Sequence, residues 1–257
     1  MTLQFIIGLI LSAAIGFSLG LIGGGGSIIT VPVLVYVLGV EAHDAISMSL
    51  AVVGATSLVG ASLHYRNGCV ELKTGFIFGG AGIAGAVVGS RFTRLLSPGT
   101  LMLAFAGLML IVATLMLTRK DQSHEVSQSP DAPPSMPKAI GVGMVVGFLT
   151  GFLGVGGGFL IVPALVLFAG LEMKDAVGTS LVVIAINCAA GLVGHLSQAH
   201  FDLKLTFLVS LLAVTGTLGG TALSKRVRAS SLRNGFAVFV IAVALFLVFK
   251  NYGAVIG

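Results

Sequence analysis

The sequence predicts an all-α polytopic membrane protein made of two tandem homologous repeats, each with a glycine-broken or re-entrant first helix. Two observations support this fold class. First, 56% of the 257 residues are hydrophobic, 9% are charged and the mean hydropathy is +1.09, which is too apolar for a soluble domain of this length. Second, the glycine-rich stretch at residues 23–32 returns at residues 154–163.

The shift that carries Gly23 onto Gly154, which we call the repeat offset, relates many other positions without a gap. Identical residues occur in these pairs: Gly20 and Gly151, Glu41 and Glu172, Asp44 and Asp175, His64 and His195, Gly85 and Gly216, and Gly89 and Gly220. A register kept over so long a stretch indicates a duplicated unit. We therefore predict a first transmembrane repeat at residues 1–118, a polar proline-rich linker at 119–138 and a second transmembrane repeat at 139–257.

The first apolar run, residues 3–22, is long enough for one crossing as a helix of roughly 30 Å. No basic residue precedes it, so we interpret it as a structural helix and not as a cleaved signal peptide. Glycines 23–26 interrupt the run. The apolar residues 27–38 that follow are too few for an ordinary span, which predicts a half-helix or re-entrant segment with Pro32 in its first turn.

Three further apolar segments complete the first copy, at residues 45–63, 74–89 and 101–117. Glycines spaced by three or four residues within 74–89 predict a close helix–helix contact. The second copy repeats the series at residues 139–153, 159–169, 176–194, 205–223 and 232–249.

The number of spans depends on how the broken helix is counted. Counted with its half-helix as one crossing, it gives about eight spans with parallel halves; counted as two crossings, it gives ten spans with inverted repeats. Arg91 and Arg94 correspond to the basic cluster at residues 225–233, and parallel halves would place both groups in the cytoplasm, as the positive-inside rule requires. We therefore favour eight spans, although the basic residues of the linker, Arg119, Lys120 and Lys138, then lie outside.

The breaks carry the chemistry that we expect. A half-helix that starts inside the membrane directs unpaired backbone N–H groups at whatever lies before it, and glycines allow close approach, so such a site favours anions. The predicted substrate-binding residues are Gly24, Gly25, Gly26, Ser27, Ser49, Gly156, Gly157, Gly158, Thr179, Ser180 and Asn187. The alternative is that the glycines only permit close packing and the polar side chains only join helices.

Ionisable residues near the membrane interior are functional candidates by default. Histidine titrates in a range useful for proton coupling, so His64 and His195 are the proton-coupling candidates. The acids at residues 41, 44, 172 and 175 are weaker candidates. All lie near predicted helix ends, where anchoring at the interface or helix capping is the alternative, and Asp44 and Asp175 could be N-caps.

Other chemistry is not indicated by the sequence. It has no nucleotide-binding, metalloprotease or serine-hydrolase motif and no metal-ligand cluster, so we expect no enzyme, no cofactor and no metal. Cys69 and Cys188 lie outside any paired motif and are interpreted as packing residues. The net charge of +5 reports orientation and does not indicate nucleic acid as a partner.

The breaks and the segments after them resemble the sulfite exporter TauE/SafE family, also called the toluene sulfonate uptake permease family. The resemblance lies in residues 16–32 and 147–163, together with 44–50 and 175–181. It implies an inner-membrane permease of bacteria or archaea for small sulfur-containing or organic anions, such as sulfite, thiosulfate or sulfoacetate. The glycine breaks and the Thr179-Ser180 pair match the family's presumed substrate region; Ser49 is carried over to the first copy, but Met48 is not.

The resulting hypothesis is a multi-pass secondary transporter of the bacterial inner membrane that moves these anions by alternating access, as a monomer or homo-oligomer. Its partners are a small anionic substrate, the lipid bilayer and a proton or another coupling ion. The alternatives are an anion channel built from the same parts and a membrane scaffold or accessory subunit.

Overall fold

A computed structural model describes residues 2–92, 98–118, 136–153, 158–195 and 202–251. All regular structure within these ranges is helical. The helices are α1 (Thr2–Ile22), α2 (Gly25–Pro32, continued by a π-helical turn at Val33–Val37), α3 (Ala42–Arg66), α4 (Leu72–Phe92), α5 (Pro98–Thr118), α6 (Met136–Leu153), α7 (Gly158–Leu167), α8 (Met173–His195), α9 (Leu203–Arg226) and α10 (Ala229–Asn251).

These bounds agree with the predicted apolar segments and keep the repeat offset at the starts of α3 and α8, α4 and α9, and α5 and α10. The duplication itself stays a prediction. The first residues of α6 fall within the predicted linker, whose other residues, 119–135, lie outside the described ranges. The start of α9 shows how polar residues fix such a boundary: the Asp202 carboxylate accepts a hydrogen bond from the Leu205 N–H at 3.1 Å, as expected of an N-cap.

The half-helix α2 begins earlier than predicted. It starts at Gly25, inside the glycine run, so Pro32 is its eighth residue and not a residue of its first turn. A proline at this depth in a helix removes one backbone N–H and crowds the preceding turn. The backbone then widens into the π-helical turn, in which the Leu38 N–H donates to the Val33 carbonyl at 3.1 Å.

Helices from opposite halves pack in pairs: α1 with α9, α4 with α6, α3 with α8, and α5 with α10. Glycines allow the first two of these contacts. A Cβ atom at Gly216 or Gly220 would overlap the carbonyl oxygens of Ala13 or Phe17 on α1. The contacts between α4 and α6 involve the positions that the repeat offset relates to these: Gly85 with Met144, and Gly89 with Phe148. The close contact predicted for residues 74–89 is therefore present.

The expectation of parallel halves is wrong. Gly60 of α3 lies against Leu181 of α8, whereas Gly191 of α8 lies against Leu50 of α3, so these corresponding helices run antiparallel. By contrast, α1 runs parallel to α9. These helix directions match the inverted alternative, in which each half contributes five helical segments.

The loop charges misled the choice of topology because the two basic groups lie at opposite ends of the molecule. Arg91 lies at the end of α4, whereas Lys225 and Arg226 lie at the end of α9, on the side where α3 ends and α8 begins. Six helices of the described chain are long and apolar enough to cross a membrane, and four shorter apolar helices, among them α2 and α7, accompany them.

Candidate functional site

The two half-helices meet at their amino-terminal ends. A Cβ atom at Gly24 would overlap the carbonyl oxygen of Gly158, and one at Gly158 would overlap the Ser27 hydroxyl and lie 3.3 Å from Ile184 of α8. Glycines 23–26 and Gly158 are buried. The structure thus brings together the predicted residues Gly24–Ser27 and Gly158. The predicted residues Gly156 and Gly157 lie outside the described ranges.

Gly23 makes the turn between α1 and α2. Its φ of 82° lies in the left-handed region that side chains rarely adopt. A Cβ atom there would also lie 2.6 Å from the Ser180 hydroxyl and 2.9 Å from the Val177 backbone. The Ser180 hydroxyl is placed to donate to the carbonyl oxygens of Gly23, at 2.9 Å, and of Val177, at 2.7 Å. Ser180 therefore ties α8 to the break.

Side chains from other helices cover the carbonyl groups at the end of α1. The Gly16 carbonyl accepts a hydrogen bond from the Thr217 hydroxyl at 3.0 Å. The Gly20 carbonyl accepts from His64 Nε2 at 3.0 Å and from the Thr221 hydroxyl at 3.5 Å, and the Gly23 carbonyl accepts from Ser180. A helix ends in carbonyl oxygens that repel anions. At this break, donors on the Gly20 and Gly23 carbonyls partly screen that negative pole.

Among the described residues, no side chain caps the start of α2 in a comparable way. Its N-cap, Gly24, offers no side chain that could accept a hydrogen bond from the first amides. The Ser27 hydroxyl turns back to the Gly24 carbonyl at 2.8 Å. Beside Gly25 lies the hydroxyl of Ser18, 2.8 Å from where a Cβ atom would be, and it has no hydrogen-bond partner among the described residues. The free donors of the break, among the described residues, are thus the first amides of α2 and the Ser18 hydroxyl of α1.

The remaining polar candidates divide between two environments. Asn187 lies on the same face of α8 as Ser180 and Ile184, at helical spacings of three and four residues, and its side-chain oxygen has no partner in the part of the chain that is described. Thr179 faces elsewhere: its hydroxyl oxygen accepts a hydrogen bond from the Glu71 N–H at 3.0 Å and holds the α3–α4 loop. Ser49, which the repeat offset relates to Ser180, is buried on α3. Gly154, which the offset relates to Gly23, lies outside the described ranges.

The two histidines predicted for proton coupling lie near the ends of α3 and α8. His64 is buried, with 3% of its surface exposed, and contacts the Gly20 carbonyl. Because a carbonyl only accepts, Nε2 carries a proton and Nδ1 is the position left to titrate. His195 is the last residue of α8, and its side chain is outside the described set.

The acids are helix-end residues. Glu41 occupies the N-cap position of α3 without a side-chain hydrogen bond to the helix. Asp44 and Asp175 lie within the first turns of α3 and α8. The expectation that these aspartates are N-caps is wrong, because both helices begin earlier than the apolar pattern suggests.

Sequence reasoning missed three residues of the break: Ser18, Thr217 and Thr221. Ser18 corresponds to Leu149 in the second half, so a search for matched pairs passes over it. The two threonines lie four residues apart on one face of α9, and each directly follows a glycine that contacts α1, Gly216 or Gly220. That spacing was a usable signal for a polar stripe on a helix otherwise facing apolar surroundings.

Comparisons with known proteins point to membrane transporters. The family model described as sulfite exporter TauE/SafE matches residues 8–247. A probable membrane transporter protein of Xylella fastidiosa (strain 9a5c) is 35% identical over the full length of both chains. The probable membrane transporter protein YdhB of Bacillus subtilis is 31% identical over 80% of this chain and 83% of its own.

A more distant relative, from Methanocaldococcus jannaschii, is also described as a probable membrane transporter protein, with 25% identity over 76% of this chain and 74% of its own. No solved structure matches the chain at a significant level. The apolar helices and these relatives identify a multi-pass bacterial membrane transporter. The chain belongs to the sulfite exporter TauE/SafE family.

Proposed function

We propose that the protein is a secondary active transporter of small sulfur-containing oxyanions, such as sulfite, thiosulfate or short sulfonates, and that the anion binds at the amino-terminal end of α2. The family's name suggests the substrate class. One observation carries the location: at the break, donors cover the carbonyls of α1, whereas the first amides of α2 have no side-chain acceptor from their N-cap.

The electrostatics of this arrangement favour an anion. A helix start carries about half a positive charge, and a bound anion there gains typically about 0.3–1 kcal/mol, and up to about 2 kcal/mol when partly buried. Neutral donors, namely backbone amides and the Ser18 hydroxyl, bind more weakly than arginine or lysine would. Weak binding suits a transporter, because the substrate must also leave.

His64 provides a route for coupling to protons. It joins α3 to the Gly20 carbonyl, one turn before the break, through a buried hydrogen bond. Protonation of the ring would place a positive charge beside the end of α1, where it would favour an anion in the site. In this proposal the anion and the proton stabilise the same state and move together.

Counterflow in proteoliposomes tests the proposal. Vesicles loaded with unlabelled sulfite, thiosulfate or sulfoacetate should take up the labelled anion transiently against its gradient, and an imposed pH gradient should change the rate. Saturable exchange supports a carrier, whereas large ionic currents without counterflow would show a channel.

Two matched variants test the site within the same assay. Gly25→Val introduces a side chain against the Ser18 hydroxyl and the Phe239 ring, whose nearest atom would lie 3.1 Å from its Cβ. Gly235→Val introduces the same side chain on α10, where no described atom lies within 4 Å of the Cβ position. We expect Gly25→Val to abolish counterflow and Gly235→Val to retain it. Equal counterflow by both folded variants would refute the site.

A further inference from the structure

A cavity of about 290 Å³ lies where α3 and α9 end and α8 begins. Its walls include His64, Cys69, Lys174, Val177, Ser224 and Lys225. Since liquid water occupies about 30 Å³ per molecule, the space would hold roughly ten waters or a small hydrated ion. We call this space the basic vestibule.

Two walls of the basic vestibule contact the last turn of α1 or the glycine break that follows it. His64 makes its hydrogen bond to the Gly20 carbonyl, and the backbone of Val177 lies against Gly23, where it would be 2.9 Å from a Cβ atom. A third wall residue, Ser224, donates to the Thr221 carbonyl at 2.8 Å. The vestibule is therefore separated from the break by a single layer of residues.

The charges on the walls are positive. Lys174 and Lys225 both line the space, and the Lys174 ammonium is held by a hydrogen bond to the Lys225 carbonyl at 3.4 Å. Among the described residues, no carboxylate belongs to the lining. Asp175 and Glu172 lie close enough to act on Cys69 electrostatically, but they stay outside the walls. The Ser224 and His64 side chains add polar groups to the lining.

We propose that the basic vestibule is an entry site that binds a small oxyanion before it reaches the break. This inference rests on the proposed function for its role in transport. The ligand is a compact anion with one or two negative charges, because two ammonium groups attract it and the space has the size of a small hydrated ion. The anion then moves, already partly dehydrated, from the basic vestibule to the break, which also favours negative charge.

Cys69 allows the occupancy of the vestibule to be measured. With Cys188→Ala as background, Cys69 is the one remaining thiol of the sequence, and its alkylation by neutral N-ethylmaleimide can be followed in the full-length protein. The probe anion is sulfate, which does not react with maleimide, compared with chloride at equal ionic strength. Sulfate at twice its dissociation constant should slow alkylation about threefold, because a third of the sites stay empty.

Charge variants show whether the anion sits between the lysines. Lys174→Gln and Lys225→Gln should each raise the sulfate concentration for half protection by roughly threefold to fivefold, given a screened attraction at short range. Lys204→Gln is the matched control, because Lys204 lies at the other end of α9, roughly 32 Å from Lys225 along the helix. Protection that is absent, or that is unchanged in both vestibule variants, would overturn the entry site.

Transport measurements decide the role of the site. In the same variants we expect the KM for sulfite counterflow to rise by a similar factor while kcat changes little. Protection without any change in KM would show an anion site off the transport route and would overturn the proposal. Counterflow by the parent protein without sulfate protection defeats this inference alone, whereas protection without counterflow defeats the proposed function and leaves the binding site.

Discussion

Replacing Gly23 by alanine tests whether the break depends on the backbone turn seen at the end of α1. Two costs arise at this position. The left-handed backbone costs an alanine about 1–2 kcal/mol. The added methyl group also lies 2.6 Å from the Ser180 hydroxyl and 2.9 Å from the backbone of Val177, and overpacking of this kind costs about 1–3 kcal/mol.

The two costs together predict a loss of roughly 2–5 kcal/mol in the free energy of unfolding. Gly39→Ala separates them. Gly39 has a φ of 71°, close to that of Gly23, and no described atom lies within 4 Å of its Cβ position. This control should lose only the backbone share, about 1–2 kcal/mol.

Unfolding in mixed micelles of increasing sodium dodecyl sulfate measures both variants, and counterflow measures their function. We expect Gly39→Ala to transport and Gly23→Ala to lose transport even at temperatures where it stays folded, because the methyl group displaces Ser180 from the Gly23 carbonyl. Equal losses of stability in the two variants would refute the assigned contact. Normal transport by Gly23→Ala would refute the role of the turn.

Three other measurements probe the surroundings of the break. Burial, followed by the negative charge of Asp175, raises the pKa of the Cys69 thiol. Near pH 8 the alkylation rate of Cys69 should therefore be lower than that of an exposed cysteine, and it should keep rising at higher pH. Stopped-flow labelling should also show faster alkylation in Asp175→Asn. Gly220→Ala should destabilise the protein by about 1–3 kcal/mol because its methyl group meets the Phe17 carbonyl. The control Gly235→Ala should be neutral or stabilising. A similar denaturation midpoint for both variants would count against the α1–α9 contact. Basic residues dominate the end of the molecule that contains Cys69, so a membrane-impermeant maleimide should label it in inverted vesicles and not in intact cells; the reverse pattern would invert the orientation.

The sequence predicted the helices and the first break well because both are local signals. Apolar runs between glycine and polar residues mark the helix ends, and the glycine run at 23–26 marks the break. The first turn of α2 was misplaced because apolar character was used to start the helix, whereas glycines themselves adopt its first turn. No local signal gives that boundary.

The direction of the halves could not be read from the sequence because it depends on pairing between distant segments. The contacts of Gly60 with Leu181 and of Gly191 with Leu50 fix the antiparallel packing. Loop charge was the only available guide. It was applied by assuming that Arg91 lies on the same side of the membrane as the larger cluster around Lys225. With the halves inverted, the unequal sizes of the two groups carry the information about orientation.

Within the site, residue type was predicted better than side-chain direction. Ser180 faces the break, whereas its neighbour Thr179 faces the α3–α4 loop, because successive residues of a helix point about 100° apart. The carbonyls of α1 are covered by His64 and the α9 threonines, which come from distant segments. Their convergence on one helix end could be found only in three dimensions.

The position of a bound oxyanion shows directly whether the anion binds at the start of α2. Crystals of the protein soaked in selenate, at a concentration shown to inhibit sulfite counterflow, would reveal the anion by the anomalous scattering of selenium. We expect a peak within hydrogen-bonding distance of the Gly25 and Gly26 amides and the Ser18 hydroxyl. Selenium density confined to other parts of the molecule, with the break empty, would contradict it.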